Sequence, residues 1–532
     1  MGSYLNPDNI KFQRSLNSEI YVDKSDLIAI LNKKIHSDEC YICISRPRRF
    51  GKSLTANMLS AYYAKGIDSS DLFKNLKISS DSSYQQHLNK HNVIFINMQN
   101  FLSNSNFDVK KMLIDLDKAV INEIQCLYPD IDLEQYTKLN LALTYVYDQV
   151  KEDFIFIIDE WDCILREKKE DTTSFETYLD YLRTLFKDQP YVALAYMTGI
   201  LPIKKYGTHS ALNMFKEYSM IYPLDYASYI GFTENEIQPL CDKYSVDFEQ
   251  LQQWYDGYIY DNSEHIYNPN SVVNALQSKC FLSYWTKTEI YEALQFYIDI
   301  NMDGLKEAII KLIAGNEVLV DTTAFHNDMS TFKDKDDILT LLVHLGYLAV
   351  SRQIQEEEGE FTYVKIPNKE IRYEFFKCLR KSNSYVAEAN AITESKKLLS
   401  DILNGDQDSV ARTLDVYHQN NSSILKYNDE NSLACIISIS MIHARNYYNE
   451  IRELPAGKGF ADIAYLPKVG TDKPALIVEL KYDKSAESAI KQIKDKKYAE
   501  FFKDYCGDVL LVGINYDKTS KKHQCIIEKI SM

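Results

Sequence analysis

The chain has 532 residues, 45% of them hydrophobic, with 40 tyrosines, 17 glycines and a formal charge of −16. That length and apolar content imply about two to four globular domains and exclude a disordered or fibrous chain. The acidic balance excludes a molecule that is basic overall, although residues 431–532 carry 16 Lys and Arg against 13 Asp and Glu, which either suits that module alone to an anionic polymer or is random fluctuation on solvated faces.

Ten cysteines are scattered along the chain. Cys40 and Cys43 form a C-x-x-C with no second matching pair, so buried, reduced thiols fit better than zinc ligands. No apolar run reaches the roughly 20 residues of a membrane span. The opening MGSYLNPDNIKF lacks the apolar core of a signal peptide. The expectation is a soluble, cytoplasmic protein with no membrane partner.

In chain order, YICIS (41–45) reads as a strand, followed by a loop and the helical run SLTANMLSAYYA. NVIFINM (92–98) is a second strand, and residues 108–126 and 133–151 have helical spacing. FIFIID (154–159) and YVALAYMTG (191–199) are continuous apolar runs, as strands buried on both faces require. Strand, loop and helix in alternation imply a mainly parallel sheet covered by helices. From about Thr233 to Leu282 the pattern is helical around WYDGYIY (254–260). Residues 290–380 read as helix, Gly346 turn, strand, strand and helix, either a winged-helix-like unit or a plain α+β linker. Residues 386–430 are a polar helical linker with an Asn-rich break at 419–423. After Ser432 come a helix, the strands FADIAYL and ALIVELKY, a helix over 485–502 and a last strand DVLLVGINY.

CISRPRRFGKSLTANML (43–59) ends in Gly51-Lys52-Ser53 between a strand and a helix. Such a loop cradles phosphate, because backbone N–H groups and the helix dipole face an anion there. Lys52 would reach the β- and γ-phosphates of a nucleotide, Ser53 would ligate Mg2+, and Gly51 removes a Cβ from the phosphate's path. Asp159 at the end of its strand would hold the metal's water shell, and Glu160 would polarise the attacking water, unless the pair is an ordinary turn. Thr198 is either a strand-end cap or a γ-phosphate sensor.

RPRRFGKSL, preceded by YVDKSDLI (21–28), resembles the AAA-ATPase-like family of bacterial proteins, whose members pair a P-loop domain with a C-terminal nuclease-like domain. The resemblance continues through IIDEWD, MTGILPIKKYGTHSALNMF (197–215), WYDGY, YNPNSVVNAL (267–276), LGYLAV and IPNKEIRYEFF (366–376). It implies that Arg46 at the first-glycine position is the loop's usual form. Arg46, Arg48, Arg49 and Leu54 then join Gly51, Lys52, Ser53, Asp159 and Thr198 as nucleotide-binding candidates, with the arginines placed either on phosphate or on acidic loops.

Near the C-terminus, Asp462 in GFADIAYL precedes Glu479 and Lys481 in ALIVELKY. Glu479 and Lys481 share a strand face, and a hairpin between the two strands would bring Asp462 beside Glu479. Two adjacent carboxylates suit Mg2+ or Mn2+ at a phosphodiester, with Lys481 orienting water or stabilising charge. The order of elements resembles the PD-(D/E)xK nuclease fold. By that resemblance Glu450 or, by preference, Glu453 is a supporting helix carboxylate. Gln492 either contacts the metal water or substrate backbone or is a solvated helix residue. Lys491, Lys494, Lys496 and Lys497 either line a phosphate backbone or are solvated.

The expected fold class is α/β: an N-terminal P-loop NTPase domain with a parallel sheet and helices on both faces, a helical or winged-helix-like middle region, and a C-terminal α/β restriction-endonuclease-like domain. The expected boundaries are 1–230 for the ATPase core, 231–289 for a helical lid, 290–385 for the winged-helix-like region, 386–430 for a linker and 431–532 for the nuclease-like domain. The expected function is ATP binding and hydrolysis coupled to a metal-dependent nuclease acting on DNA or RNA. The alternative is a nucleotide-driven switch or scaffold, a mobile-element, defence or effector component, that binds nucleic acid or protein without cutting. ATP and Mg2+, with Mn2+ at the nuclease site, are the expected cofactors, and nucleic acid and a second copy of the chain the expected partners.

Overall fold

The computed structural model describes residues 2–531 except 169–170, 204–211, 261–263, 286–289, 324, 326–331, 357–358, 422–429, 457–458, 469 and 499–506. The chain forms two compact units, one of Met1–Lys287 with Leu319–Ile371, the other of Thr288–Val318 with Arg372–Met532.

The first unit is organised by a five-stranded sheet of β1 (Tyr41–Ser45), β2 (Asn92–Asn97), β3 (Phe154–Asp159), β4 (Val192–Gly199) and β5 (Lys216–Tyr218), in the order β2-β3-β4-β1-β5. Every pairing is parallel. β3 and β4 are buried along their whole length, as their unbroken apolar runs require. Because β4 lies between β1 and β3, the carboxyl ends of these three strands converge, the usual place for a site in an open parallel sheet. Crossover helices include Lys52–Tyr63, Val109–Leu127, Leu139–Val150 and Thr172–Phe186. The expected helix over 133–151 begins only at Leu139.

The helical reading of WYDGYIY is corrected. Helices Glu234–Tyr244, Phe248–Tyr255 and Pro269–Ser278 are present, but β7 (Tyr258–Tyr260) pairs with β8 (Glu264–Tyr267), which also pairs with β6 (Phe232–Thr233). Gly257 ends the preceding helical run at φ +117°, and a Cβ there would lie 2.1 Å from the Pro367 carbonyl oxygen. That tertiary contact, rather than local pattern, breaks the helix.

Across residues 290–381 the expected order recurs: helices Ile290–Ile298 and Leu305–Ile313, β9 (Val318–Val320), helix Lys335–His344, the antiparallel pair β10 (Ala349–Glu356) and β11 (Gly359–Lys365), and helix Lys369–Lys381. The division between the compact units falls within this region.

In the second unit, helices Val386–Leu403, Gln407–Asn421 and Glu430–Ser440 precede a five-stranded sheet. Its strands, β12 (Tyr448–Ala456), β13 (Gly459–Pro467), β14 (Ala475–Tyr482), β15 (Asp508–Asp517) and β16 (Lys522–Ser531), lie in sequence order. β14 and β15 are parallel and the other pairs antiparallel. Helix Ala486–Asp495 packs Ile490 and Ile493 against Ile477, Val509 and Leu511. The expected helix extended to residue 502, and its part from 499 lies outside the described residues, as do residues 422–423 of the Asn-rich break and 204–211 of MTGILPIKKYGTHSALNMF. The segment Leu305–Ala314 is fastened to this unit by Arg445, whose guanidinium donates to the carbonyls of Ala314 at 2.6 Å and Ile313 at 3.4 Å. Among the described residues no helix is long and apolar enough to cross a membrane.

Candidate functional sites

The loop after β1 turns through two residues in the left-handed region, Arg49 at φ +67° and Gly51 at φ +98°. A Cβ on Gly51 would meet nothing within 4 Å, so glycine answers a backbone need there, not a shortage of space. Loops of this kind gather successive N–H groups into an anion-binding hollow ahead of a helix N-terminus. Lys52 is 4% exposed, and its Nζ donates to the carbonyls of Arg46 and Pro47, each at 2.9 Å. Burial lowers its ammonium pKa, opposed by the charges of Glu160, Asp162 and Asp159. Ser53 is exposed and Leu54 half-buried in the first turn of the helix.

Arg46 points elsewhere. Its side chain is 0% exposed, and Nη1 donates to the carbonyls of Ser45, Tyr218 and Ser219 at 2.9–3.0 Å. The guanidinium also lies over the Tyr260 ring, 5.9 Å from its centroid. These contacts match neither expected option, phosphate or an acidic loop. Where a first glycine would leave space, Arg46 ties the loop to the segment after β5. Arg48 and Arg49 are half-buried in the loop.

Asp159 ends β3, paired in register with Thr198 on β4 and Asn97 on β2. Asn97 Nδ2 donates to Asp159 Oδ2 at 3.1 Å, while Asp159 Oδ1 is buried with no hydrogen-bond partner. Burial raises this carboxyl's pKa, opposed by the Ser53 hydroxyl beside it. Thr198 is fully buried, and its Oγ1 also lacks a partner. Glu160 sits at φ +56° with its carboxylate bonded to Arg166 Nη2. The sheet order thus brings Lys52, Ser53, Asp159, Glu160 and Thr198 to one end of the sheet.

In the second unit the register Ile463↔Val478 stops one residue short of Asp462 and Glu479, which face each other where β13 and β14 part. Asp462 Oδ2 accepts the Leu480 N–H at 2.7 Å. Glu479 is 0% exposed; Lys481 Nζ donates to its Oε1 at 2.9 Å, and its Oε2 is buried without a partner. Burial, and then the charge of Asp462, push the Glu479 carboxyl up to about 7 against the pull of Lys481. Gln492 Nε2 donates to the Tyr498 hydroxyl at 3.4 Å. Burial raises the Tyr498 phenol's pKa, and Glu479 and Asp462 add to the rise, which places Tyr498 in the field of both carboxylates.

The helix expected to carry Glu450 or Glu453 is a strand. Both lie on β12, because Tyr448–Leu454 forms a hairpin with β13 and Pro455 bars helical continuation. Glu450 is engaged by Arg445 Nε at 2.7 Å. Glu453 is exposed, at φ +48°, and falls opposite Asp462 between the pairs Arg452↔Ile463 and Leu454↔Ala461. Of the lysine run, Lys494 is paired with Glu528 at 2.5 Å.

Among the described residues no three His, Cys, Asp or Glu side chains are gathered as a metal cluster. Each centre offers two oxygen donors with one orphaned carboxylate oxygen between them, Asp159 with Ser53 and Asp462 with Glu479. Such sparse, hard donor sets fit Mg2+, which takes its remaining ligands from water and phosphate. Sequence reasoning missed Asn97, Asp162 and Arg166. Asn97 ends a strand as Asp159 does, a signal that was present; the Asp162–Arg166 pair has helical i,i+4 spacing.

Two family models match the chain. The one described as "Predicted AAA-ATPase" covers residues 11–208, and the one for the PD-(D/E)XK nuclease superfamily covers residues 428–525. An uncharacterized protein in the vnfD 5′ region of Azotobacter chroococcum mcd 1 is 22% identical over 523 residues, 94% of this chain and 93% of that protein. Among solved structures, the Walker-type ATPase PABY2304 of Pyrococcus abyssi is 12% identical at a TM-score of 0.33, over 66% of this chain and 94% of its own. The ORC2 protein of Aeropyrum pernix is 11% identical at 0.30, over 69% of this chain and 97% of its own.

Proposed function

The chain carries an AAA-ATPase-like domain followed by a domain of the PD-(D/E)XK nuclease superfamily, and from that premise we propose that ATP hydrolysis in the first is coupled to metal-dependent cleavage of DNA or RNA in the second. In this reading residues 1–230 are the ATPase core, 231–289 a lid, 290–385 a winged-helix-like region, 386–430 a linker and 431–532 the nuclease-like domain.

At the first centre Gly51 and the Lys52 helix present N–H groups to the triphosphate. Lys52 exchanges the carbonyls of Arg46 and Pro47 for the β- and γ-phosphates. Ser53 and Asp159 hold Mg2+, Thr198 senses the γ-phosphate, and Glu160 polarises water. Arg48 and Arg49 add positive charge, while Arg46 serves the loop's shape.

At the second centre Asp462 and Glu479 hold the cation, which when bound supplies charge neutralisation and an acidified water. Lys481 favours the ionised form of Glu479 and stabilises charge on the phosphodiester oxygens. Gln492 and Tyr498 border the carboxylates, and Glu453 stands beside Asp462 as a supporting acid. Lys491, Lys496 and Lys497 offer charge to a nucleic-acid backbone.

The observation that carries this reading is the Glu479 carboxylate, wholly buried, one oxygen on Lys481 and the other unpartnered opposite Asp462. Burying such a group without a partner is costly, and a cation between the two acids relieves it. The test is incubation with linear and circular DNA and RNA, with Mg2+ or Mn2+, with and without ATP. Cleavage lost in Lys481→Ala while binding persists supports the reading; no cleavage under any condition refutes it.

Glu450 is engaged by Arg445 and Glu453 is exposed, which favours a second reading, in which ATP drives a switch or scaffold, a mobile-element, defence or effector component, and the C-terminal domain binds without cutting. ATP turnover lost in Lys52→Ala alongside no cleavage supports it. Action in the cytoplasm and assembly with a second copy belong to either reading.

A further inference from the structure

Glu160 adopts a left-handed backbone, φ +56°, which a residue with a Cβ takes up only where its surroundings hold it. Its carboxylate is bonded to Arg166, whose side chain is 8% exposed. Arg166 Nε lies 3.2 Å from Asp162 Oδ2. Asp162 is fully buried, and the same oxygen accepts the N–H groups of Ile200 and Leu201 at 3.0 and 2.9 Å. Those two residues directly follow Thr198 and Gly199 at the end of β4. The Trp161 N–H, between the two acids, donates to the Thr198 carbonyl at 3.1 Å. One guanidinium therefore joins the candidate water-polarising carboxylate to the strand that carries the candidate sensor.

A carboxylate engaged by a guanidinium is a poorer proton acceptor than a free one, because the charge-assisted pair occupies its lone pairs. Hydrolysis needs that acceptor: as the water oxygen bonds to the γ-phosphorus and the bond to the ADP oxygen breaks, the water proton passes to Glu160. We propose that Arg166 is a positioning residue that restrains Glu160, withholding its carboxylate from the attacking water while the pair is closed. Turnover then requires the pair to open, and movement at the end of β4 reaches it through Asp162. This inference rests on the ATP-hydrolysing reading above.

The test measures ATP turnover by the full-length protein, Lys52→Ala, Arg166→Lys and Arg166→Gln. Lysine keeps the charge but lacks the planar fork that spans two carboxylates, so it stays with the buried Asp162 and frees Glu160. Both Arg166 variants are expected to raise kcat about tenfold, with KM for ATP unchanged. Arg166→Gln leaves the buried Asp162 and the half-buried Glu160 without a cation, so Arg166→Lys, checked by its thermal melt, decides if the first does not fold. A folded Arg166→Lys with kcat equal to or below wild type overturns the inference, as does a change confined to KM. If wild-type turnover vanishes in Lys52→Ala and Arg166→Lys gives no rise, only the inference about Arg166 falls. If no variant shows turnover that depends on Lys52, the hydrolytic reading falls and this inference with it.

Discussion

Each compact unit sets a carboxylate on a buried stretch of strand near a lysine, Asp159 at the end of β3 and Glu479 within β14, yet the two lysines are held differently. Lys481 lies two residues from Glu479 on β14 and donates to it directly. Lys52 comes from a separate loop and donates to two carbonyls, with Asp159 and Glu160 acting on it only through space. The first is a local pair that strand spacing allows by placing both side chains on one face, and its energy is bound up with the fold. In the second, the sheet order brings Lys52 near Asp159 and Glu160, while its hydrogen bonds stay within its own loop, on groups that phosphate oxygens can replace. Lys481 is placed to stabilise its neighbour's charge, whereas Lys52, at a helix N-terminus beside two acids, is placed to exchange its carbonyls for a ligand.

The largest expected effect separates the two lysines by stability. Lys481→Ala leaves a buried carboxylate without its cation and should cost about 3–5 kcal/mol at pH 8, read by chemical denaturation. Lys52→Ala removes a buried cation with no carboxylate bonded to it and should change stability by less than about 1 kcal/mol while abolishing ATP turnover. Equal losses in the two variants would break the comparison.

Next comes the pH dependence of Glu479. Its folded carboxyl, pushed up to about 7, lies above the ordinary 4.5. The folded state therefore binds the extra proton, and stability falls as pH rises from 4.5 through 7, by at most about 3 kcal/mol. A divalent cation favours the ionised form, so Mg2+ or Mn2+ should raise the melting temperature more at pH 8 than at pH 5. An equal rise at both would argue against a cation at Glu479.

Asn97→Ala removes the amide that orients Asp159. A fall of about tenfold in Mg2+-dependent ATP turnover is expected, with a small loss of stability from the helix start that Asn97 Oδ1 caps at 3.0 Å. The smallest effect is Tyr498→Phe. Its hydrogen bond to Gln492 is long, 3.4 Å, so about a twofold change in cleavage is expected.

The same comparison explains what was legible in the sequence. β3 and β4 announce themselves because burial on both faces demands an unbroken apolar run, and β1 and β14 through short β-rich runs. β16 hid because one side of an edge strand is open, and KHQCIIEKIS alternates weakly between buried and exposed positions. β7 hid because the packing of Gly257 on Pro367 depends on a residue more than a hundred positions away. Among the candidate residues, Asp462, Glu479 and Lys481 come together through one hairpin, which strand spacing and a turn-rich connection foretell. Arg46 was misread because a positive charge beside Gly-Lys-Ser suggests phosphate, whereas its direction is set by carbonyls around residues 218–226. Arg166 showed only its i,i+4 spacing from Asp162; its pairing with Glu160 depends on a left-handed residue that composition does not encode.

The unit that contains the C-terminal sheet is assembled from two stretches of chain, and Arg445 and Arg452 grip the earlier one at Ile313, Ala314 and Asn316. A cassette cut at residue 428, where the match to the nuclease-superfamily model begins, drops the helices Val386–Leu403 and Gln407–Asn421 of the same unit and leaves those guanidinium groups facing water in place of carbonyls. Recombination or engineering that transplants this half of the protein must therefore begin no later than Arg372 and also carry a splinter of some thirty residues, Thr288–Val318, from upstream, supplied in trans or by circular permutation.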